Sequence, residues 1–184
     1  MSLTAAIAGL RQQPIAEVLA LLEQARSSGR TVFIFGNGGS AATAMHMACD
    51  LGKNTRSPGT PLLRVLCLND NVATLSAFGN DEGYESVFAE PLRALARPAD
   101  IAIAVSASGN SPNIIRAVEA ARDLEMTIIG LTGVAGGRLA GLVDICLRAD
   151  AVSLEQIEDI HIVVNHLLTV LLRGYGEPFL PASP

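Results

Sequence analysis

Five short runs of the chain are apolar at nearly every position and rich in β-branched residues: 31–35 (TVFIF), 64–68 (RVLCL), 101–105 (IAIAV), 127–131 (TIIGL) and 143–147 (VDICL). A strand wet on one side alternates apolar and polar residues, whereas one covered on both sides does not, so these runs are expected to be buried strands. The stretches between them, 40–51, 71–78, 84–96, 112–124 and 137–142, lie near Ser, Asn, Gly or Pro start signals and are expected to be helical. Strands that alternate with helices imply a parallel sheet covered on both faces. The expected class is therefore α/β, a three-layer α-β-α sandwich around a five-stranded parallel sheet.

Two further helices are expected before the first strand, at 3–11 and 15–26, separated by Pro14 and stopped by Gly29. Residues 154–173 read as one long helix with an apolar stripe of Ile157, Ile160, Val164, Leu167, Leu168 and Leu171. The whole of 1–184 reads as one domain, with N-terminal helices over about 3–28, an α/β core over about 31–150 and the terminal helix beyond it. So much apolar helix at both ends suggests contact between subunits. The tail 174–184 (GYGEPFLPASP) is rich in breakers and is expected to be irregular.

Composition narrows the function. With 49% hydrophobic and 17% charged residues the chain has the material for a core and too little charge to stay open. Thirteen Lys and Arg against eighteen Asp and Glu leave a net charge of -5 with no basic run, which excludes nucleic acid as the expected partner but not a small phosphorylated ligand. No apolar run approaches the ~18 residues a membrane helix needs, and no basic-then-apolar leader is visible. Cys49, Cys67 and Cys146 lack C-x-x-C spacing and read as reduced, buried thiols, so a cytoplasmic location is expected.

The chemistry lies at the strand ends. The first strand runs into 36–41 (GNGGSA) and a helix, where backbone N–H groups and a helix N-terminus converge on an anion or a sugar oxygen. The spacing loosely fits a dinucleotide fingerprint, but that motif needs an acidic residue roughly 20 positions on, and here the second strand ends much later, at Asn69 and Asp70. A turn that merely closes a βα unit is the plainer alternative. The third strand ends in 106–112 (SASGNSP), where three hydroxyls and free N–H groups at a helix start suit a phosphate monoester without a cation. Serine-rich loops also occur as bare caps. Both loops fall at carboxyl ends of parallel strands and should face one crevice.

GNGGSA followed by a helical His46, then Asn80-Asp81-x-Gly83-Tyr84, then S-x-S-G-N-S, together resemble the sugar isomerase (SIS) domain family and, within it, the isomerases of phosphorylated heptoses, over roughly residues 15–173. The resemblance implies a flavodoxin-like fold and an aldose–ketose isomerase that converts sedoheptulose 7-phosphate to D-glycero-D-manno-heptose 7-phosphate through an ene-diol, for nucleotide-activated heptose biosynthesis. The alternative inside the same family is a non-catalytic protein that binds a phosphosugar or associates with a replication initiator.

Carried over by motif, Asn37, Gly38, Gly39 and Ser40 resemble the loop that holds the open-chain sugar, and Ser106, Ser108 and Ser111 the phosphate cradle. Ala107 stands where the family often has Thr, leaving only its backbone donor. Asn80 and Asp81 match a substrate-contacting pair; without the resemblance they read as a polar turn. His46 and Asp50 share one helix face at i, i+4 and resemble a family His-x-x-x-Glu pair, with Asp for Glu. Glu158 aligns with a family Gln and His166 with its catalytic His.

The resemblance implies one zinc per site, held by His46, Asp50, Glu158 and His166, a ligand set that suits that metal. Eight residues separate Glu158 from His166 along a helix by ~12 Å and about 80°. One metal reaches both only if side chains fold inward or a second subunit contributes, and the family places its sites at subunit contacts, which implies a homotetramer. His166 and Asp50 are the expected proton-transfer groups. His161 is assigned no role, and Lys53 and Arg56, in a polar stretch after the helix, read as solvated.

Overall fold

In the computed structural model, which describes residues 2–174, the strands are β1 (Thr31–Gly36), β2 (Arg64–Cys67), β3 (Ile101–Val105), β4 (Thr127–Gly133) and β5 (Ile145–Ala149). All pair in parallel in the order β2-β1-β3-β4-β5. Residues 175–184, the greater part of the breaker-rich tail, lie outside the described residues. The helices are α1 (Leu3–Ala8), α2 (Gln12–Ser28), α3 (Gly39–Cys49), α4 (Val72–Asp81), α5 (Ala89–Leu95), α6 (Pro112–Asp123) and α7 (Leu154–Arg173). None of the helices among the described residues is long and apolar enough to cross a membrane.

Period-two alternation splits each inner strand between two cores. Val32 and Ile34 of β1 join Val18 and Leu22 of α2, Met47 of α3 and Ile160, Val164 and Leu168 of α7. Phe33 and Phe35 turn the other way, onto Phe88, Leu92 of α5 and Ile114 and Val118 of α6. The result is the expected three layers. The strand order reverses between β1 and β3, which are parallel neighbours, and a crevice opens at the carboxyl ends of strands at such a switch point.

Several boundaries differ from expectation for physical reasons. Pro14 does not separate the first two helices. It lies in the first turn of α2, where its missing N–H has no helical partner to lose, and the break falls at Gly9, which closes α1. β2 is an edge strand rather than a doubly covered one, and its Leu66 is 46% exposed. β5 starts later than predicted because the Asp144 carboxylate accepts a bond from the Ile128 amide (2.7 Å) just ahead of it.

The helix expected at 84–96 breaks into a 3₁₀ turn (Tyr84–Ser86) and α5, and that at 137–142 shrinks to one 3₁₀ turn (Leu139–Gly141). The inward face of α7 is rotated from the predicted stripe: His161, Asn165 and Thr169 are buried while Leu167 is 37% exposed. Finally, α3 passes into a π-helical turn (Asp50–Asn54), a distortion common at functional sites.

Candidate active site at the switch point

The first half of the site is made by loops. β1 ends at Gly36, whose backbone is held by Asn69 at the end of the next strand: the Asn69 side chain accepts from the Gly36 N–H (3.2 Å) and donates to its carbonyl (2.9 Å). Asn37 then exchanges two hydrogen bonds with buried Asn113 of α6, its Nδ2 donating to Asn113 Oδ1 (2.8 Å) and its Oδ1 accepting from Asn113 Nδ2 (2.9 Å). This amide pair ties the glycine loop to the helix that follows the serine loop. Gly38 takes φ 54° as N-cap of α3 and offers no side chain there, so the first N–H groups of the helix are left for a ligand.

In the serine loop, Ser106 Oγ accepts from Gly109 N (3.2 Å) and Ser108 Oγ from Asn110 N (3.2 Å), which curls the chain and leaves each hydroxyl its own hydrogen to donate. Gly109 has φ 64°, and a Cβ there would overlap the carbonyl oxygen of Gly136, so glycine is required both for the turn and for the close approach. Ser111 is the N-cap of α6 yet its side chain makes no capping bond. Ala107 contributes its carbonyl to Gly133 N (2.9 Å). Neutral donors and a helix N-terminus converge here, as a phosphate requires.

The second half is made by helices. His46 and Asp50, one turn apart at the end of α3, meet His166 of α7. Nε2 of His46 lies 3.3 Å from Asp50 Oδ2, and Nε2 of His166 lies 3.7 Å from the same oxygen and 3.5 Å from His46 Nε2. One donor atom from each residue falls within 4.8 Å of the others. The imidazoles are about half exposed while the Asp50 side chain is only 8% exposed.

Three of the four residues expected to share a metal thus come together, and Glu158 does not. The carboxylate of Glu158 lies against Gly39 at the start of α3, where any side chain on that glycine would collide with it. Within one chain two turns of α7 separate Glu158 from His166 by roughly 12 Å, as its spacing leads one to expect. Asn80 and Asp81, read as a turn, form the exposed last turn of α4, with Asn80 Nδ2 donating to Asp81 Oδ1 (2.7 Å). Just beyond, Tyr84 donates its hydroxyl hydrogen to Asn37 Oδ1 (3.2 Å) and links this segment to the glycine loop.

His161 is a core residue, 1% exposed, whose Nε2 bonds the carbonyl of Thr132 (3.2 Å). Burial lowers its pKa from the usual imidazole value, with the Thr132 bond opposing. Cys67 is likewise buried and its thiol is pushed up to about 12 by desolvation. It is inert at neutral pH, as a buried thiol should be, whereas Cys49, expected to be buried too, is exposed at the end of α3 and Cys146 is half-buried.

Asn69, Asn113, Tyr84, Asn54 and Asn165 were not among the predicted site residues, and each bonds one that was or its loop. The visible signal was an amide directly before His166 in the predominantly apolar second half of α7, at Asn165.

A parallel sheet with two neutral, amide-lined loops at the carboxyl ends of neighbouring strands, and a His/Asp/His cluster where α3 meets α7, defines the protein as α/β in class. Residues 2–133 match the SIS domain. A phosphoheptose isomerase of Rhodospirillum rubrum is 40% identical over 159 residues, covering 86% of this chain and 84% of that one. Among solved structures, a phosphoheptose isomerase from Francisella tularensis superposes with a TM-score of 0.87 at 32% identity, over 93% of this chain and 91% of that one. The phosphoheptose isomerase of Neisseria gonorrhoeae gives 0.81 at 32% identity, over 87% and 85%. The chain belongs to the SIS domain family.

Proposed function

We propose that this protein is a phosphosugar aldose–ketose isomerase that converts sedoheptulose 7-phosphate to D-glycero-D-manno-heptose 7-phosphate, in the cytoplasm, for nucleotide-activated heptose synthesis. The observation that carries the reading is the convergence of His46, Asp50 and His166 within 4.8 Å in a chain whose relatives at 32–40% identity are named phosphoheptose isomerases. A binding module of the same fold needs the loops but not this cluster, which favours the catalytic reading over the phosphosugar-binding or initiator-associating one.

The chemistry divides between the two halves. Ser106, Ser108, Ser111 and the backbone N–H of Ala107 bind the phosphate. Asn37, Gly38, Gly39 and Ser40, with Asn80 and Asp81, orient the extended sugar. One proton-transfer group takes the proton from C1 of the ketose, the electron pair forms the C1–C2 double bond, and the carbonyl oxygen on C2 gains a proton. The ene-diol then loses the proton of its C1 hydroxyl as C2 is protonated, leaving the aldehyde at C1. His166 and Asp50 are the two groups, one as the base and the other as the acid of the exchange.

Two imidazole nitrogens and a carboxylate oxygen fit zinc. His46, Asp50 and His166 would hold it, with Glu158 from a second subunit of a homotetramer completing the set. When bound, the ion supplies Lewis-acid stabilisation of developing oxyanion charge. NMR of sedoheptulose 7-phosphate with the protein, with and without chelator, tests the reading. New aldoheptose signals that chelation abolishes are expected; a sugar that binds without being converted would establish the binding module instead.

A further inference from the structure

Asp50 is one methylene shorter than the residue its place in the resemblance leads one to expect, yet its Oδ2 reaches both imidazoles. Two amides hold it there. Asn165 of α7 is fully buried, and its Nδ2 donates to Asp50 Oδ2 (2.7 Å). Asn54, at the end of the π-helical turn, donates from Nδ2 to Asp50 Oδ1 (2.7 Å). An ionised carboxylate only accepts, so both amides must present their N–H side. As a result the carbonyl oxygens of Asn165 and Asn54 are buried without a partner. Leaving two buried acceptors unpaired is costly, and a leucine at 165 would continue the apolar run of α7 at no such cost.

We infer that Asn165, with Asn54, is a positioning residue for the proposed isomerase and metal site: the two amides clamp both oxygens of Asp50 so that its short side chain presents Oδ2 to Nε2 of His46 and His166. Each amide occupies one acceptor direction on its oxygen and leaves the outer direction of Oδ2 for a metal or a substrate proton. Asn165 also precedes His166 directly, so the bond that aims Asp50 sets the register of α7 against α3 at the point where the imidazoles meet. The π-helical turn belongs to the same device, since it carries Asn54 beneath the carboxylate. The clamp's hydrogen bonds run among Asp50, Asn54 and Asn165 and not to the serine loop, so the clamp acts on chemistry and metal affinity rather than on phosphate binding.

This inference rests on the proposed function, and the test separates the two. Cobalt(II) titration of metal-stripped protein, followed by visible absorption, is compared with steady-state kinetics for Asn165→Leu, Asn54→Ala, Asp50→Glu and the double variant Asn165→Leu/Asp50→Glu. Asn165→Leu should weaken cobalt binding and lower kcat by about tenfold or more, as loss of a hydrogen bond behind a metal ligand does, with KM changed little. Asn54→Ala reads the same clamp from its other oxygen should Asn165→Leu fold poorly. In the Asp50→Glu background the longer arm no longer sits in the clamp, and the loss on adding Asn165→Leu should shrink to about twofold, a coupling that a purely structural role lacks. Unchanged cobalt affinity in both single variants, or an equal loss with Asp and Glu at 50, overturns the clamp. A wild type that binds cobalt but does not convert the heptose overturns the proposed function while the cobalt arm still decides the clamp.

Discussion

The two halves of the site are built on opposite plans. The phosphate half is a contiguous stretch of seven residues, 106–112, whose donors are backbone amides and hydroxyls curled by their own local bonds. The proton-transfer half is assembled from side chains 116 to 120 positions apart, His46 and Asp50 on one helix and His166 on another, around a nearly buried carboxylate. The first is a property of local backbone, seated against the turn at Gly136. The second is a property of packing between α3 and α7 and depends on groups that touch no substrate. On the proposed function, holding the sugar and transforming it should therefore be separable by mutation.

That separation sets the predictions. His166→Gln should lower kcat by roughly 10²–10⁴-fold while sugar phosphate binding stays within a few-fold, in steady-state kinetics and calorimetry; joint loss of both would collapse the two halves into one. Gly109→Ala should cost about 2 kcal/mol or more of stability in denaturant unfolding, because its φ of 64° and the overlap with Gly136 both oppose a side chain. It should also raise KM, since the cradle shares that turn.

Ser111→Ala should raise KM by about tenfold, the loss of one hydrogen bond to a charged group. Its Tm should stay unchanged although Ser111 is a helix N-cap, because the side chain makes no capping bond; a lowered Tm would reassign the residue to the helix. The smallest effect concerns His161, outside both halves. Its folded pKa lies below the unfolded value, so the unfolded chain binds more protons and stability, complete above about pH 6.5, falls as pH drops through that value. The slope is at most about 1.4 kcal/mol per pH unit, and His161→Asn should flatten it in unfolding curves between pH 7 and 5.

The fold was legible because burial on both faces leaves a signature: β1, β3 and β4 were located from their unbroken apolar runs, and their alternation with helices implied the parallel sheet. β2 was misread as doubly covered, because Leu66 is apolar whether a helix or another subunit covers it. The loops were legible because their chemistry is contiguous, and a strand running into Gly-Asn-Gly-Gly or Ser-x-Ser-Gly is visible without any fold. His46 and Asp50 were legible as an i, i+4 pair. Their meeting with His166 was implied by resemblance, since nothing local pairs α3 with α7. Glu158 was grouped with them by resemblance, although its separation from His166 along one helix was readable from the spacing alone. The amides were missed for the same reason: Asn54, Asn113 and Asn165 look like ordinary polar residues until the partner 4, 76 or 115 positions away is known.

The separation of holding from chemistry is tested most directly by incubating wild type and His166→Gln with saturating sedoheptulose 7-phosphate in deuterated water and measuring both bound sugar and deuterium at C1 and C2. Exchange in the wild type, and bound but unexchanged sugar in His166→Gln, is the expected result. Exchange that persists without His166, or binding that disappears with it, would contradict a site in which loops hold the substrate and the α3–α7 cluster moves its proton.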